Sequence, residues 1–223
     1  MCIHTGMGRL VVVEGLDGAG KRTLTDALTR ALHDKGATVG RLAFPRYDVD
    51  VHAQLVRDAL HGGLGDLADS VHGMAVLYAL DRLGARDGIT TDQHDVLLVD
   101  RYIASNAAYG AARLRQDADG EFVRWLADLE LGRFALPVPD LHLLLRVPVD
   151  VAAERAARRE AEDPGRQRDR YESDSGLQVR CGIVYDQLAA TGWLAPWEVL
   201  DGAAGTDAGQ LAVRLLELPV RTP

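Results

Sequence analysis

Short apolar runs alternate along this chain with longer amphipathic stretches. Leu10-Val11-Val12-Val13 is apolar and β-branched, the pattern of a strand covered on both faces of a parallel sheet. A glycine-rich turn follows, then a helical pattern to about Asp34, stopped near Gly36. Thr38 to Phe44 reads as a second strand ended by Pro45, with helical stretches over Val51–Leu60 and Leu67–Arg86 behind it. Val96-Leu97-Leu98-Val99 repeats the buried-strand pattern and ends on Asp100-Arg101. Helical spacing returns over Ser105–Arg115 and Gly120–Phe134, and Pro137 and Pro139 break it. Leu141–Val147 is a fourth strand, Val149–Glu160 a helix and Asp163-Pro164-Gly165 a loop. One helix is expected from about Asp169 to Ala190, then a strand near Trp197–Leu200 and a last helix ending near Leu218. Five strands separated by helices predict a doubly wound, three-layer α/β/α fold on a five-stranded parallel sheet. Such sheets bind ligands at the carboxyl ends of their strands.

The length, 223 residues, suits one domain over 9–218 with a short N-terminal extension at 1–8. Hydrophobic residues at 47% and charged residues at 26% describe an ordinary globule. The net charge of −8 argues against general binding to nucleic acid or an anionic membrane. It leaves room for a local basic pocket. Cys2 and Cys181 form no Cys-x-x-Cys pair, so a reducing compartment is expected. No run approaches the ~18 apolar residues of a membrane span, and no signal-peptide layout is present, so the cytoplasm is the expected location. The histidines show no zinc-ligand spacing. Only two of the 25 basic residues are lysines, Lys21 and Lys35. Coding bias accounts for that scarcity and still makes each lysine worth placing.

Lys21 falls in Gly15-Leu16-Asp17-Gly18-Ala19-Gly20-Lys21-Arg22-Thr23. This matches the phosphate-loop pattern G-x-x-x-x-G-K between a strand and a helix. Gly15, Gly18, Ala19 and Gly20 let backbone N–H groups converge on phosphate oxygens at a helix N-terminus. Lys21 is the mobile cation for the β- and γ-phosphates. Arg22 stands where a hydroxyl for magnesium is usual, and Thr23 supplies one a place late. The fold expected is therefore that of a P-loop NTPase.

The other strand ends should face the same crevice. In Phe44-Pro45-Arg46-Tyr47 the aromatic could stack on a base, and Arg46 could hold a phosphate or simply lie exposed. Asp81-Arg82 reads most simply as a surface ion pair. Asp100 is placed like a Walker B carboxylate, with Arg101 beside it to brace a phosphate. Asn106 and Tyr109 share one helical face. Arg155, Arg158 and Arg159 share another, and Arg166, Arg168 and Arg170 follow, with seven acidic residues interleaved. That segment, about 155–170, is either a self-paired hairpin or an arginine-rich lid that closes on transferring phosphates.

These motifs, in this order, resemble the thymidylate kinase family, most closely its actinobacterial (mycobacterial) members. The carrying residues are Glu14–Lys21, Phe44–Tyr47, Ala79–Arg82, Asp100–Tyr109, Asp163–Arg166 and Asp169–Glu172. The resemblance implies transfer of the γ-phosphoryl of ATP to dTMP, giving dTDP, with Mg²⁺. It implies that Phe44 stacks on the base beside Pro45 and Tyr47, through a cis Phe44–Pro45 bond. Arg82 and Asn106 would read the base edge, and Tyr109 would lie by the sugar 2′ position. Asp17 and Arg101 would sit at the acceptor phosphate, and Asp17, Lys21 and Arg101 would carry catalysis. Asp169, Tyr171 and Glu172 would close the acceptor site. Asp17, Glu172 and Asp100 would serve the metal, and Arg155, Arg159, Arg166 and Arg170 the lid. A homodimer, packed through the third to fifth helical stretches, is also implied. Departures from the family pattern are Asp48 after Tyr47 in place of glycine, Gly110 where many members carry glutamine, and Leu131-Gly132. The rival readings are a kinase for another nucleotide or a nucleoside, and a nucleotide-binding switch that lacks chemistry.

Overall fold

The computed structural model describes residues 8–90, 93–162 and 169–219. Five parallel strands form one sheet: β1 (Arg9–Glu14), β2 (Val39–Ala43), β3 (Val96–Asp100), β4 (Leu141–Arg146) and β5 (Trp197–Asp201). Their spatial order is β2-β3-β1-β4-β5. β1 is central, with Val12 level with Val99 on one side and His142 on the other. Val11, Val12 and Val13 are fully buried, because helices cover both faces of the sheet. The order reverses between β3 and β4 around β1, so the crevice opens where the chain leaves β1.

Helix α1 (Lys21–Asp34) begins directly on the phosphate loop and ends at Gly36, whose φ of +81° stops it. α2 (Val51–Leu60) is capped by the Asp50 carboxylate, which accepts from His52 N at 2.8 Å. The stretch from Leu67 divides into a 3₁₀ turn, Leu67–Asp69, and α3 (Val71–Thr90). Ser70 separates them, and its hydroxyl accepts from Gly73 N. α4 (Ile103–Leu114) packs between α3 and a later helix over Ser175–Thr191. The helix expected to end near Phe134 is instead α5 (Glu121–Ala127) running into a π-helical turn, Asp128–Arg133.

α6 (Val149–Glu162) precedes the segment 163–168, which lies outside the described residues. The single helix expected from Asp169 is two, α7 (Arg170–Ser173) and α8 (Ser175–Thr191). Asp174 breaks the run with extended backbone and caps α8 through Leu177 N at 2.8 Å. α9 (Ala208–Glu217) returns to pack on α1. At the amino end of β4, His142 is wholly buried, and neither ring nitrogen has a partner among the described residues. Its ring stacks on Trp197 at 4.3 Å. Burial pushes its pKa down to about 3, so the ring is neutral and behaves as an aromatic core residue.

Candidate active site

The chain leaving β1 turns through Gly15 and Gly18 with φ of +142° and +85°. A side chain at either position would strike backbone, with its Cβ 2.6 Å from the Leu145 carbonyl oxygen or 2.0 Å from that of Ala152. The loop is therefore wedged between β4 and α6, and only glycine fits. Lys21 folds back under the loop, and Nζ donates to the carbonyls of Gly15 (3.1 Å) and Leu16 (2.9 Å). Burial and the neighbouring Arg101 charge lower its pKa to about 8, against the opposing pull of Asp17 and Asp100.

Across the crevice, β3 ends on Asp100 and the chain turns at Arg101 with φ of +66°. Arg101 N donates to Val13 O at 3.0 Å. The guanidinium forms an ion pair with Asp17 and donates to Ser105 Oγ at 3.2 Å. Tyr109 OH donates to the other Asp17 oxygen at 2.7 Å. Burial alone would raise the Asp17 pKa. The Arg101 and Lys21 charges overcome it and hold the carboxyl at about 2. Beneath them Glu14, fully buried, accepts from Tyr102 N (2.9 Å), Ser105 Oγ (2.5 Å) and Tyr185 OH (3.1 Å). Burial raises the Glu14 pKa despite these bonds. Oδ1 of Asp100 is buried and meets no donor among the described residues.

The remaining wall comes from the loop after β2. The Phe44–Pro45 bond is cis, and the Phe44 ring is buried 6.1 Å from Tyr102. Arg46 is neither exposed nor free for a phosphate. Its Nε donates to Asp81 Oδ1 at 2.8 Å and its Nη2 to Asp50 Oδ2 at 2.9 Å. The surface-pair reading of Asp81-Arg82 is also overturned, since both residues are buried, at 0% and 2% exposure. Each has a different partner. Arg82 lies against Glu130, and Asn106 Nδ2 donates to the same Glu130 at 3.0 Å. Tyr47 and Tyr78 complete this wall, their phenols raised in pKa by burial.

α7 closes the far end. Asp169 caps it by accepting from Tyr171 N (2.7 Å) and Glu172 N (2.9 Å), and burial raises the Asp169 pKa. The Tyr171 ring stacks 6.3 Å from Tyr109, and its hydroxyl accepts from Arg113. From α6, Arg155 Nη1 reaches Ala19 O at 3.4 Å and Gly202 O at 3.3 Å, and Arg158 also faces the crevice. Arg22 and Thr23 line the mouth, exposed. Arg170 does not join the lid arginines. It is exposed outside the cleft and pairs with Asp69 at 2.6 Å. The Arg159 side chain and all of Arg166 lie outside the described residues.

Together these walls enclose one cleft of about 1130 Å³. That exceeds the ~300–1,000 Å³ of a single-ligand pocket, so two ligands can meet end to end. Tyr78 lines this cleft and was not singled out from the sequence; nor were Arg113, Glu130 and Gln178, which hold the lining residues Tyr171, Arg82 and Asn106 from behind. Gln178 donates to the Tyr171 carbonyl at 3.0 Å. Glu14, fully buried, carries a signal of its own in the sequence, being an acid at the end of an apolar strand. A phosphate loop at the carboxyl edge of a parallel sheet, facing a closed acceptor wall, defines a P-loop phosphotransferase of the nucleoside monophosphate kinase class.

The family model for thymidylate kinase matches residues 13–191. The chain is 49% identical over 208 residues to the thymidylate kinase of Mycobacterium tuberculosis, covering 92% of this chain and 96% of that one. It is 29% identical over 218 residues to the human thymidylate kinase, covering 96% and 92%. A solved thymidylate kinase from Candida albicans shares the fold with a TM-score of 0.66 at 21% identity, covering 96% and 91%. This chain belongs to the thymidylate kinase family.

Proposed function

We propose that this chain transfers the γ-phosphoryl of ATP to dTMP, giving dTDP and ADP. The observation that carries the reading is the facing pair Lys21 and Arg101. One cation lies under the phosphate loop and the other is anchored by Asp17 at the acceptor wall. A dTMP phosphate oxygen attacks the γ-phosphorus as the bond to the β-bridging oxygen breaks, and ADP leaves with that electron pair. Phosphoryl transfer needs positioning and charge neutralisation, and no protein nucleophile is required. Lys21 holds the β- and γ-oxygens, Arg101 braces the acceptor phosphate, and Arg155 and Arg158 approach from α6. Phe44 forms the base platform, Arg82 and Asn106 the base edge, and Tyr109 and Tyr171 the sugar side.

Magnesium fits the residues present. Asp100 offers a buried carboxylate oxygen with no donor among the described residues, and Glu172 lines the same cleft. These two would hold the ion, whose chemistry is to neutralise phosphate charge. Both Asp17 oxygens are already engaged by Arg101 and Tyr109, so Asp17 acts first as the anchor of Arg101. The reading includes a homodimer through α3 to α5 and a cytoplasmic location, in keeping with the cysteine usage. Sedimentation of the purified chain tests the dimer.

The deciding experiment is ADP release with dTMP, dUMP, CMP, AMP and thymidine, each with ATP. Preference for dTMP is expected. Equal rates across the panel, or nucleotide binding without any product, would defeat the proposal.

A further inference from the structure

Glu130 lies on the π-helical turn after α5 and is fully buried. Oε2 accepts from Arg82 Nε at 2.5 Å, and Oε1 accepts from Arg82 Nη2 at 2.6 Å and from Asn106 Nδ2 at 3.0 Å. Asn106 Nδ2 also donates to the Ala75 carbonyl at 3.0 Å. Both partners of that amide nitrogen are pure acceptors, a carboxylate and a carbonyl. Only the NH₂ end can face them, and its two hydrogens are both used. The amide therefore has one orientation, and Oδ1, the acceptor, is the atom left for the cleft that Asn106 lines. The same logic applies to Arg82. Two of its three nitrogens are held by Glu130, and Nη1 is left as a donor for the cleft.

A donor beside an acceptor matches a pyrimidine edge that carries a carbonyl at C4 and a proton on N3. Cytosine has an amino group at C4 and a bare N3. It would set donor against donor and acceptor against acceptor, and buried mismatches of this kind discriminate strongly. We propose that Glu130 is a specificity-determining positioning residue, which by fixing the Asn106 amide and the Arg82 fork makes the site accept a 4-oxo pyrimidine and reject a 4-amino one. The inference rests on the base-reading role given to Arg82 and Asn106 above. It is indifferent to the 5-methyl group, which this edge does not touch. A π-helical turn suits the task, because the extra residue re-aims a side chain that a regular helix would carry elsewhere.

The test compares kcat/KM for dTMP, dUMP and dCMP in the wild type and in Glu130→Gln. Glutamine offers one acceptor oxygen to the three donors that Glu130 holds, and its own NH₂ group meets the rest, so the Arg82 fork and the Asn106 amide can no longer both be fixed. The dTMP-to-dCMP ratio should fall by about 10²-fold, while the dTMP-to-dUMP ratio stays constant. Damage to the fold lowers all three substrates together and leaves both ratios unchanged, and an unchanged dTMP-to-dCMP ratio overturns the proposal. A second measurement needs no variant. Asn106 is the only asparagine in the chain, so ¹⁵N-asparagine labelling gives a single side-chain amide. In the ligand-free wild type its hydrogens should exchange at least about 10²-fold more slowly than those of a free asparagine amide. Exchange at the free rate overturns the proposal even where Glu130→Gln does not fold. A wild-type enzyme that phosphorylates dTMP and rejects dCMP, with a freely exchanging Asn106 amide, sinks this inference alone. One that does not use dTMP sinks the function itself.

Discussion

Asp17 and Arg101 meet as an ion pair across the crevice between the phosphate loop and the end of β3, and Tyr109 takes the second Asp17 oxygen at 2.7 Å. The turn after β3 and helix α4 thus converge on one carboxylate of the phosphate loop, 84 and 92 residues away in sequence. The anchor also holds Arg101 in a left-handed backbone conformation that costs of order 1–3 kcal/mol for a non-glycine residue.

Asp17→Asn should lower turnover with dTMP by ~10²–10³-fold, because Arg101 loses its anchor at the transferring phosphate. Its effect on acid stability has a definite sign. The folded carboxyl sits at about 2, below its ordinary 3.8. The stabilisation is therefore present above pH 3.8 and lost as pH falls from there toward 2. Urea midpoints measured from pH 5 down to 2 should fall more steeply for the wild type than for Asp17→Asn. Parallel slopes would show that the ion pair adds no stability.

Lys21→Ala should cut turnover by ~10²–10³-fold with the fold intact. The protonated ammonium is the active form, and its pKa is about 8. kcat/KM should therefore decline as pH rises through about 8 in the wild type. In Lys21→Arg the residual activity should lack that decline, since a guanidinium stays charged. The same shift makes Lys21 a burden on folding at neutral pH, relieved as pH rises from about 8 toward the ordinary 10.5. Lys21→Met should accordingly melt at a higher temperature than the wild type at pH 7, and a lower melting temperature would contradict the burial argument.

Gly18→Ala sets a methyl group 2.0 Å from the Ala152 carbonyl oxygen at a φ of +85°. A loss of about 1–3 kcal/mol in stability is expected, with weakened ATP binding from the displaced loop. Calorimetric titration with ATP measures the second effect. Wild-type affinity would mean that the loop shape is not what grips the phosphates.

Gly110 is the departure that the structure explains best. It lies in α4, and a Cβ there would fall 2.0 Å from the Phe122 ring of α5. Gly110→Ala should destabilise by about 1–3 kcal/mol through overpacking. Phe122→Leu added to it should recover part of the loss, while each single change is harmful alone. Additive losses in chemical denaturation would separate the two sites.

The strands and the phosphate loop were legible because their signals are local. Each strand is a short buried run, and the loop needs glycine at fixed offsets. The acceptor wall was legible only through the family pattern, and incompletely. Asp81 and Arg82 read as a surface pair because α3 is packed by α2 on one side and α4 on the other, which no single-helix periodicity reveals. Glu130 acts on Arg82 and Asn106, 48 and 24 residues away, across a π-helical turn that displaces the expected helical register. Arg46 was undecided because its partners come from two different helices, Asp50 from the N-cap of α2 and Asp81 from the middle of α3. The break between α7 and α8 did carry a signal, the cluster Ser173-Asp174-Ser175-Gly176. A helical pattern running through it masked that signal.

Glu14 closes the account of the site. One carboxylate at the end of β1 receives the backbone of the Arg101 turn and the hydroxyls of α4 and α8. The donor cradle and the acceptor brace are thereby parts of a single rigid body formed when the chain folds. Substrates arrive at a fixed spacing, and the entropy of assembling the reacting surfaces is spent once per molecule rather than once per turnover.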